Sequence, residues 1–306
     1  VASSPGLTRV TVTSPVATAG GSGTPPLTPG VATNFDLAQG QVLAFATPEG
    51  TAADLSGMRI VASQPVAVFS GHECANVPQG VPYCDHLEQQ LLPVEAWGRE
   101  FVGAKFQPRG REPDVWKIVA TRDGTTLQTD PLIPGVGGRT IGTGEVVQFE
   151  TTEDFILFAS QPVSLAQFMV GSSYPGAEGG CDPSALTPRE FGCAIPRDCG
   201  GSGVGDPAFV LAVPSAQFRS DYLVLTPAQY RDNFLTMTAP PGTTIFVDDV
   251  EVTAPRTRVS TWDIIRVPSA AGIHRIVATA PIGLSAYGYD CDVSYAYPGG
   301  LNLDAL

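Results

Sequence analysis

Lysine, histidine and long apolar runs are scarce in this 306-residue sequence, and each scarcity excludes a class of protein. The 17 basic residues include only two lysines, Lys105 and Lys117, against 30 acidic residues, so the formal net charge is −13. A chain of that charge repels nucleic acid and anionic membrane surfaces. No run of about 18 apolar residues occurs, so no membrane span is predicted.

The sequence also lacks the short motifs of common enzymes. It contains no Gly-x-Ser-x-Gly nucleophile elbow. Gly205-Asp206-Pro207 resembles an autoproteolytic motif, but Ala208 stands where that motif has a histidine. His274 lies in the alternating segment Ile273–Ile276 and is interpreted as a solvent-facing strand residue rather than a base. We therefore predict a protein that is not an enzyme and needs no cofactor or metal, with a glycan-active enzyme as the least favoured alternative.

Glycine and proline, by contrast, are abundant, at 34 and 28 residues. Proline interrupts helices, and both residues mark turns. Charged residues make up only 15%, below the roughly 25% usual for soluble domains, while the 43% of apolar residues is enough for a large core. This composition predicts an all-β fold of many short strands. The one predicted helix, His86–Trp97, is limited to one or two turns by Pro93.

A segment with the pattern of one strand, a proline and a second strand occurs three times. Its copies are residues 61–68, 158–165 and 277–284. Proline cannot donate a hydrogen bond within a sheet, so each copy predicts two strands with a kink between them. A Gly-Thr-Thr segment precedes the second and third copies at nearly constant spacing, at 124–126 and 242–244.

The copies predict three related β units, arranged as separate sandwiches or with pseudo-threefold symmetry. They cover about residues 8–72, 115–170 and 222–290. Two long excursions, 73–114 and 171–221, separate them and are predicted to be loops pinned by disulfides. With each excursion assigned to the unit before it, the predicted domains are 1–114, 115–221 and 222–306.

Each unit is also predicted to hold an inner strand ahead of its proline. The second and third units have it at Glu145–Phe149 and Trp262–Ile265, and Gln41–Phe45 matches them in the first unit. The strand faces are interpreted as scaffold, and function is expected on the excursions.

Six cysteines suit an oxidising compartment and a secreted or cell-surface protein. They are Cys74, Cys84, Cys181, Cys193, Cys199 and Cys291. A Cys74–Cys84 disulfide closing a short loop is favoured over a zinc site shared with His72 and His86, because the spacing departs from that of zinc sites. For the other four we favour Cys193–Cys199 and Cys181–Cys291. Counting alone leaves the connectivity open.

Two acidic pairs are candidates for calcium ligands, since calcium takes oxygen ligands. Asp248-Asp249 follows a predicted strand, which favours a turn. Asp290 and Asp292 flank Cys291, and both interpretations are open there. No Asp-x-Asp-x-Asp-Gly loop occurs.

One region resembles a known family. Its residues run from Ser63-Gln64-Pro65 through Gly71-His72, Cys74, Tyr83-Cys84-Asp85-His86 and Trp97-Gly98 to Phe101-Val102, with later matches at Gly205-Asp206-Pro207 and Tyr295-Ala296-Tyr297-Pro298-Gly299-Gly300. This pattern is similar to the N-terminal domain family of the IgG Fc-binding protein of mucus, in a bacterial-type member. The resemblance implies an extracellular, non-catalytic module of adhesive or matrix-like proteins.

The predicted function is an extracellular binding or adhesion module whose partner is an extracellular protein or a glycan. The candidate binding residues lie on the two excursions: His72, Asn76, Tyr83, His86, Tyr174 and Arg197. The alternative is a self-associating structural subunit, in which the alternating segment Thr8–Thr13 adds to a neighbouring sheet edge. Since the sequence starts at Val1 with a polar stretch, we expect a mature or trimmed chain.

Overall fold

Alternating polar and apolar residues run through most of the chain, and the computed structural model is accordingly all-β. It describes residues 1–21, 23–174 and 203–303. Within these ranges, helical structure is limited to two 3₁₀ turns, Val94–Ala96 and Ser215–Gln217. The predicted fold class is confirmed. No helix of the described residues is long and apolar enough to cross a membrane.

The described residues form twenty strands. In chain order they are β1 (Leu7–Thr13), β2 (Ala32–Ala38), β3 (Arg59–Ala62), β4 (Phe69–Ala75), β5 (Asp85–Gln90), β6 (Gly98–Gly103), β7 (Asp114–Ala120), β8 (Thr125–Asp130), β9 (Thr140–Ile141), β10 (Val146–Thr151), β11 (Phe155–Phe168), β12 (Phe209–Leu211), β13 (Arg219–Thr226), β14 (Asp232–Ala239), β15 (Ile245–Val247), β16 (Val250–Glu251), β17 (Arg256–Val259), β18 (Trp262–Ser269), β19 (Gly272–Asp290) and β20 (Val293–Pro298).

These strands form four antiparallel sheets, which we divide into three strand groups. The first group holds the sheet β2-β1-β3 and the hairpin β4-β5. The second has the order β10-β7-β11-β8-β9, with β6 and β12 also paired to β11. The third has the order β17-β18-β14-β19-β15-β16, with β13 and β20 also paired to β19. The second and third groups therefore share one topology, in which β7, β10 and β11 correspond to β14, β18 and β19.

In the second and third copies of the recurring segment the proline lies inside a long strand whose main partners change on either side of it, whereas Pro65 lies between β3 and β4. Before Pro162, β11 pairs with β8, and after it with β7. Before Pro281, β19 pairs with β13 and β15, and after it with β14 and β20, while β13 keeps one further pair at Ile282. Since proline has no N–H to donate, it stands where one set of partners ends and the next begins.

Backbone hydrogen bonds around the three prolines correspond position by position. A hydroxyl two residues before each proline accepts a hydrogen bond from a backbone N–H earlier in the chain: Arg9 to Ser63 at 2.9 Å, Thr126 to Ser160 at 2.9 Å and Thr244 to Thr279 at 3.0 Å. A carbonyl three residues after each proline accepts another: Leu91 to Val68, Ala212 to Leu165 and Gly299 to Leu284. The three-repeat interpretation and its domain boundaries stay predictions.

Two expectations about the first excursion are wrong. It is not a loop, because it contains β5, a 3₁₀ turn and β6, and β6 pairs with β11 of the second group. The helix predicted at His86–Trp97 is absent, since Asp85–Gln90 is a strand of the hairpin and only the turn Val94–Ala96 is helical. Leu87 is buried between exposed neighbours, which is the period of a strand rather than of a helix.

The N-terminal part of the chain differs from expectation in two further ways. The predicted inner strand Gln41–Phe45 forms no strand, although its counterparts lie in β10 and β18. The segment Thr8–Thr13 is the central strand β1, paired with β2 on one edge and β3 on the other. Both edges are occupied, so β1 cannot add to a neighbouring sheet.

Candidate functional site

The hairpin β4-β5, residues 69–90, holds most of the sequence-predicted binding residues. His72, Asn76, Tyr83 and His86 are all exposed on it. Arg197 lies outside the described residues. Tyr83 is 52% exposed and has a positive φ of 65°, which turns the chain immediately before Cys84. The structure thus brings four of the six candidates onto one element.

A disulfide joins Cys74 to Cys84 across this hairpin, with their Cα atoms 4.9 Å apart, as predicted. The bond uses both thiols, so the alternative of a zinc site at these cysteines is wrong. Cys291 is also disulfide-bonded. The predicted pairings of Cys181, Cys193 and Cys199 lie outside the described residues.

The loop that connects β4 to β5 is hydrogen-bonded to residues 171–173, the segment that follows β11. The Gly171 N–H donates to the Val77 carbonyl at 2.8 Å, and the Ser173 hydroxyl donates to the Pro82 carbonyl at 2.9 Å. Val77 and Leu87 pack with Val115 and Val170. The hairpin is therefore anchored to the second strand group.

Tyr174, the candidate from the second excursion, belongs to this support. It is half-buried, packs on the same apolar cluster and donates its hydroxyl to Glu150 Oε2 at 2.7 Å. The hydrogen bond to Glu150, with burial and the negative charge of Glu150, raises the pKa of Tyr174 to about 12. The hydroxyl thus ties Tyr174 to β10, while the ring packs on the apolar cluster that contains Val77 and Leu87 of the hairpin.

Cross-strand register divides the hairpin's side chains between two faces. Phe69 pairs with Gln90 and Gly71 with Glu88, so these residues share a face with His86. All five are exposed, and we call them the hairpin outer face. His72 pairs with Leu87 and therefore belongs to the opposite face. The two histidines do not form one patch.

Of the five outer-face residues, sequence reasoning named only His86, and the ones it missed include Phe69 and Glu88. Phe69 is 52% exposed, yet it follows the first recurring segment, whose strands were interpreted as scaffold. Its counterpart Ala166 in β11 is 9% exposed. Glu88 Oε2 lies 3.7 Å from His86 Nε2, and both side chains are 63% exposed. No sequence signal separates an exposed aromatic residue of β4 from a buried one.

Three acidic residues interact where the hairpin meets the third strand group: Asp85, Asp206 and Asp292. The carboxylate of Asp206, which accepts the Ser172 N–H at 3.1 Å, has a raised pKa because of burial and of the charges of Asp292 and Asp85. The described residues contain no group of three or more His, Cys, Asp or Glu side chains placed to hold a metal ion.

The two acidic pairs considered as calcium ligands lie at turns. Asp248 and Asp249 connect β15 to β16 with positive φ, so the predicted turn is confirmed. Asp290 ends β19, and Asp292 belongs to the two-residue turn before β20. The side chain of Asp290 accepts the backbone N–H groups of Cys291 and Arg231. Asp290 therefore stabilises the turn that leads into β20.

His274 differs from expectation. It is only 8% exposed, so the solvent-facing interpretation is wrong. Its ring nitrogens lie 2.7 Å from Asp248 Oδ2 and 2.8 Å from the Ala270 carbonyl. Asp248 also accepts the Arg275 N–H at 2.9 Å. The arrangement ties the β15-β16 turn to β19 and is structural.

The structure is thus an all-β scaffold with a disulfide-closed hairpin. One protein family matches almost the whole chain. The family described as IgGFc binding protein matches residues 1–288. The chain belongs to this family. The family is named for binding, which agrees with the predicted class of function.

A related sequence is the human IgGFc-binding protein, 28% identical over 243 residues. The match covers 79% of this chain and 4% of that protein, so the chain corresponds to a small part of it. Among solved structures, an anti-sigma factor domain-containing protein aligns with 65% of this chain and 81% of its own, at 13% identity and a TM-score of 0.18. A score that low supports no argument about fold or function.

Proposed function

We propose that this member of the IgGFc binding protein family is an extracellular, non-catalytic adhesion or binding module that contacts a protein partner through the hairpin β4-β5. The observation that carries the proposal is the exposure of the hairpin outer face on an element closed by the Cys74–Cys84 disulfide. Phe69 on this face and Tyr83 in the connection between the strands are each 52% exposed, and the face also carries the His86–Glu88 pair.

Rigidity supports this assignment. A binding surface that is already ordered loses less conformational entropy on association. The disulfide closes the hairpin, and two hydrogen bonds from the segment 171–173 hold its connection. Aromatic side chains such as Phe69 and Tyr83 give large contact areas with few rotatable bonds.

The name of the human relative supplies the first probe, the Fc fragment of IgG. We expect surface plasmon resonance to show the parent chain binding immobilised Fc. A variant with Phe69, Tyr83 and His86 all changed to alanine should bind at least about tenfold more weakly, since central aromatic contacts dominate interface energies. A His72→Ala variant, altered on the opposite face, should lose less.

The matched control is Leu223→Ala with Leu225→Ala, two exposed residues of β13. We expect this variant to bind like the parent. If the hairpin variant binds Fc as tightly as the parent and the β13 variant binds it more weakly, the binding site lies on the strand face of β13. If the parent does not bind Fc at all, Fc is not its partner.

Self-association is a second candidate, favoured by an exposed apolar stripe. Leu223, Leu225 and Ile273 are 69%, 57% and 68% exposed, and Leu225 pairs directly with Ile273. Val102, at the position of β6 that corresponds to Leu223, is instead buried against the third group. Multi-angle light scattering tests this function: oligomers in the parent that dissociate in Leu223→Ser with Leu225→Ser would support it.

A further inference from the structure

A buried cluster of one amine and two carboxyl groups lies between the end of β6 and the start of β7. Lys105, Glu112 and Asp114 are 5%, 2% and 2% exposed. Lys105 Nζ lies 3.9 Å from Glu112 Oε1 and 3.8 Å from Asp114 Oδ1. A nucleophile and two carboxyl groups therefore meet in the interior of the protein.

The amine of Lys105 lacks the hydrogen bonds that a buried ammonium group needs. An ammonium group has three N–H donors, and each requires an acceptor at about 2.7–3.2 Å. Among residues 1–21, 23–174 and 203–303, no atom gives Nζ such a bond. Burying a charge without hydrogen-bonded partners is costly. Lys117, the other lysine of the chain, has its hydrogen bond, to Asp54.

Glu112 is held in place by donors of its own loop. Its Oε1 accepts the Arg109 N–H and its Oε2 accepts the Gly110 N–H, each at 2.7 Å. The Nε atom of Arg109 lies 3.5 Å from Oε1. These contacts fix the Glu112 carboxyl group beside Lys105 Nζ, where it is placed to accept a proton and return it.

The two oxygens of Asp114 have different surroundings. Oδ2 accepts the Phe106 N–H at 2.9 Å and an N–H of Gln167 Nε2 at 2.6 Å, whereas Oδ1 lies toward Lys105. Two donors on one oxygen polarise the carbonyl group, as in an oxyanion hole. Burial outweighs the charge of Lys105 and raises the pKa of Asp114, which favours the protonated carboxyl group that an amine can attack.

Aromatic side chains enclose this part of the molecule. Phe106, Tyr287 and Tyr289 are 3%, 0% and 4% exposed and belong to one core cluster. The Tyr287 hydroxyl accepts the Gln107 N–H at 2.9 Å, and the Tyr289 hydroxyl donates to the Gln107 carbonyl at 2.8 Å. In such surroundings a neutral amide is more stable than a pair of charges that do not hydrogen-bond to each other.

We propose that Lys105 and Asp114 form an intramolecular isopeptide bond between Nζ and Cγ, with Glu112 as the proton relay. Glu112 first takes a proton from the lysine ammonium and passes it to Asp114 Oδ1. The lone pair of Nζ then attacks Cγ, and the charge that develops on Oδ2 is stabilised by the Phe106 and Gln167 donors.

The tetrahedral intermediate then loses water. Glu112 takes a second proton from Nζ and gives it to the Oδ1 hydroxyl, so the Cγ–Oδ1 bond breaks and the Cγ–Nζ bond remains. The sum is one ammonium and one carboxylate converted to one amide and one water, with Glu112 unchanged and no other reactant needed. The flexible stem of Lys105 allows Nζ the approach of about 1 Å that hydrogen bonding to both carboxyl groups requires.

The bond closes residues 105–114 into a ring that joins the ends of β6 and β7, which both pair with β11. An amide is not broken by reduction, so the bond secures this part of the fold where a disulfide would be lost. The reaction occurs once in each chain and is not enzymatic turnover. It does not depend on the hairpin β4-β5 binding Fc.

The first test is the mass of the intact purified chain after denaturation and reduction. We expect a mass one water below that of the sequence, because reduction opens disulfides and leaves an amide intact. Trypsin cuts after Arg109 and Arg111, which lie between the two linked residues. We therefore expect one branched product in which residues 100–109 and 112–117 stay joined.

Three variants assign the roles. Lys105→Met lacks the amine and Glu112→Gln lacks the proton relay, so both should have the full mass of their sequences. The matched control is Lys117→Met, which removes the other lysine and should stay one water lighter. Circular dichroism shows whether each variant is folded.

A parent chain with the full mass of its sequence would overturn the proposal and leave Lys105 as a buried ion-pair partner. A water loss that persists in Lys105→Met, or that maps to a linear peptide, would also overturn it, because the water then comes from another site. A folded Glu112→Gln variant that is still one water lighter would overturn the proton relay. The parent's own mass decides whether the bond exists, even if a variant does not fold.

Discussion

At the scale of single residues, His274 gives the structure its clearest dependence on pH. Both ring nitrogens face acceptors, Asp248 and the Ala270 carbonyl, and only the protonated imidazole can donate to both. Burial lowers the pKa of His274, but the hydrogen bonds and the charge of Asp248 outweigh it and raise the pKa above 6.5. The hydrogen bond from His274 in turn lowers the pKa of Asp248.

The unfolding free energy should therefore fall as the medium becomes alkaline. Because the folded pKa of His274 is above the unfolded value, its stabilisation is complete below about pH 6.5 and is lost as the pH rises through the folded pKa. Urea unfolding between about pH 6 and pH 9 should show this decline in the parent and less of it in His274→Asn. His86→Asn, altered at an exposed histidine, is the control. Parallel profiles for parent and His274→Asn would contradict the assignment.

The sequence predicted a strand at Ile273–Ile276 but not which of its side chains point into the core. Side chains alternate between the two faces of a strand, so Ile273 and Ile276, which have two residues between them, lie on opposite faces. The structure buries His274 and Ile276 and leaves Ile273 68% exposed. Which apolar residue turns inward depends on the pairing of β19 with β13 and β15, and sequence alone does not contain that contact.

At the scale of elements, the hairpin β4-β5 shows what cysteine spacing can predict and what it cannot. The disulfide followed from spacing and composition, and it is confirmed. Strand β5 was not predicted, because residues 73–114 were interpreted as a loop with a short helix at His86–Trp97. A strand also needs a partner: β10 pairs with β7 along its whole length, whereas Gln41–Phe45 has the pattern of β10 but forms no strand.

Removing the disulfide should loosen the hairpin selectively. A bond that closes a ten-residue separation stabilises by about 2–3 kcal/mol in the chain-entropy account. We expect Cys74→Ser with Cys84→Ser to speed hydrogen exchange in β4 and β5 and to weaken any Fc binding. The amides of β7 and β11 serve as an internal control and should keep their protection. Unchanged exchange in the hairpin would show that packing of Val77 and Leu87 alone holds it.

At the scale of the whole molecule, the second and third groups share a continuous interface. Val102 and Ile156 pack with Val259 and Ile264. Polar contacts flank this cluster, with Trp262 Nε1 donating to Glu100 Oε1 at 2.9 Å. The composition of the chain predicted its all-β class and the family resemblance was confirmed. This interface was not predicted, because its partners lie more than a hundred residues apart and no short-range pattern joins them.

The ion pair between Arg266 and Asp154 should couple these two groups in unfolding. Their side chains are 17% and 13% exposed, the nitrogen and oxygen are 2.5 Å apart, and Arg266 Nε also donates to the Lys105 carbonyl at 2.9 Å. Arg266→Ala leaves a largely buried carboxylate without its ionic partner, although the Lys105 N–H still donates to it at 2.7 Å, so we expect a loss of about 3 kcal/mol. Arg139→Ala breaks a pair that is 45% and 41% exposed and should cost less than about 1 kcal/mol. Calorimetry of the parent should show one unfolding transition for both groups. In Arg266→Ala the third group should unfold in a separate transition at lower temperature. Equal losses of stability in Arg266→Ala and Arg139→Ala would mean that the apolar cluster alone joins the groups.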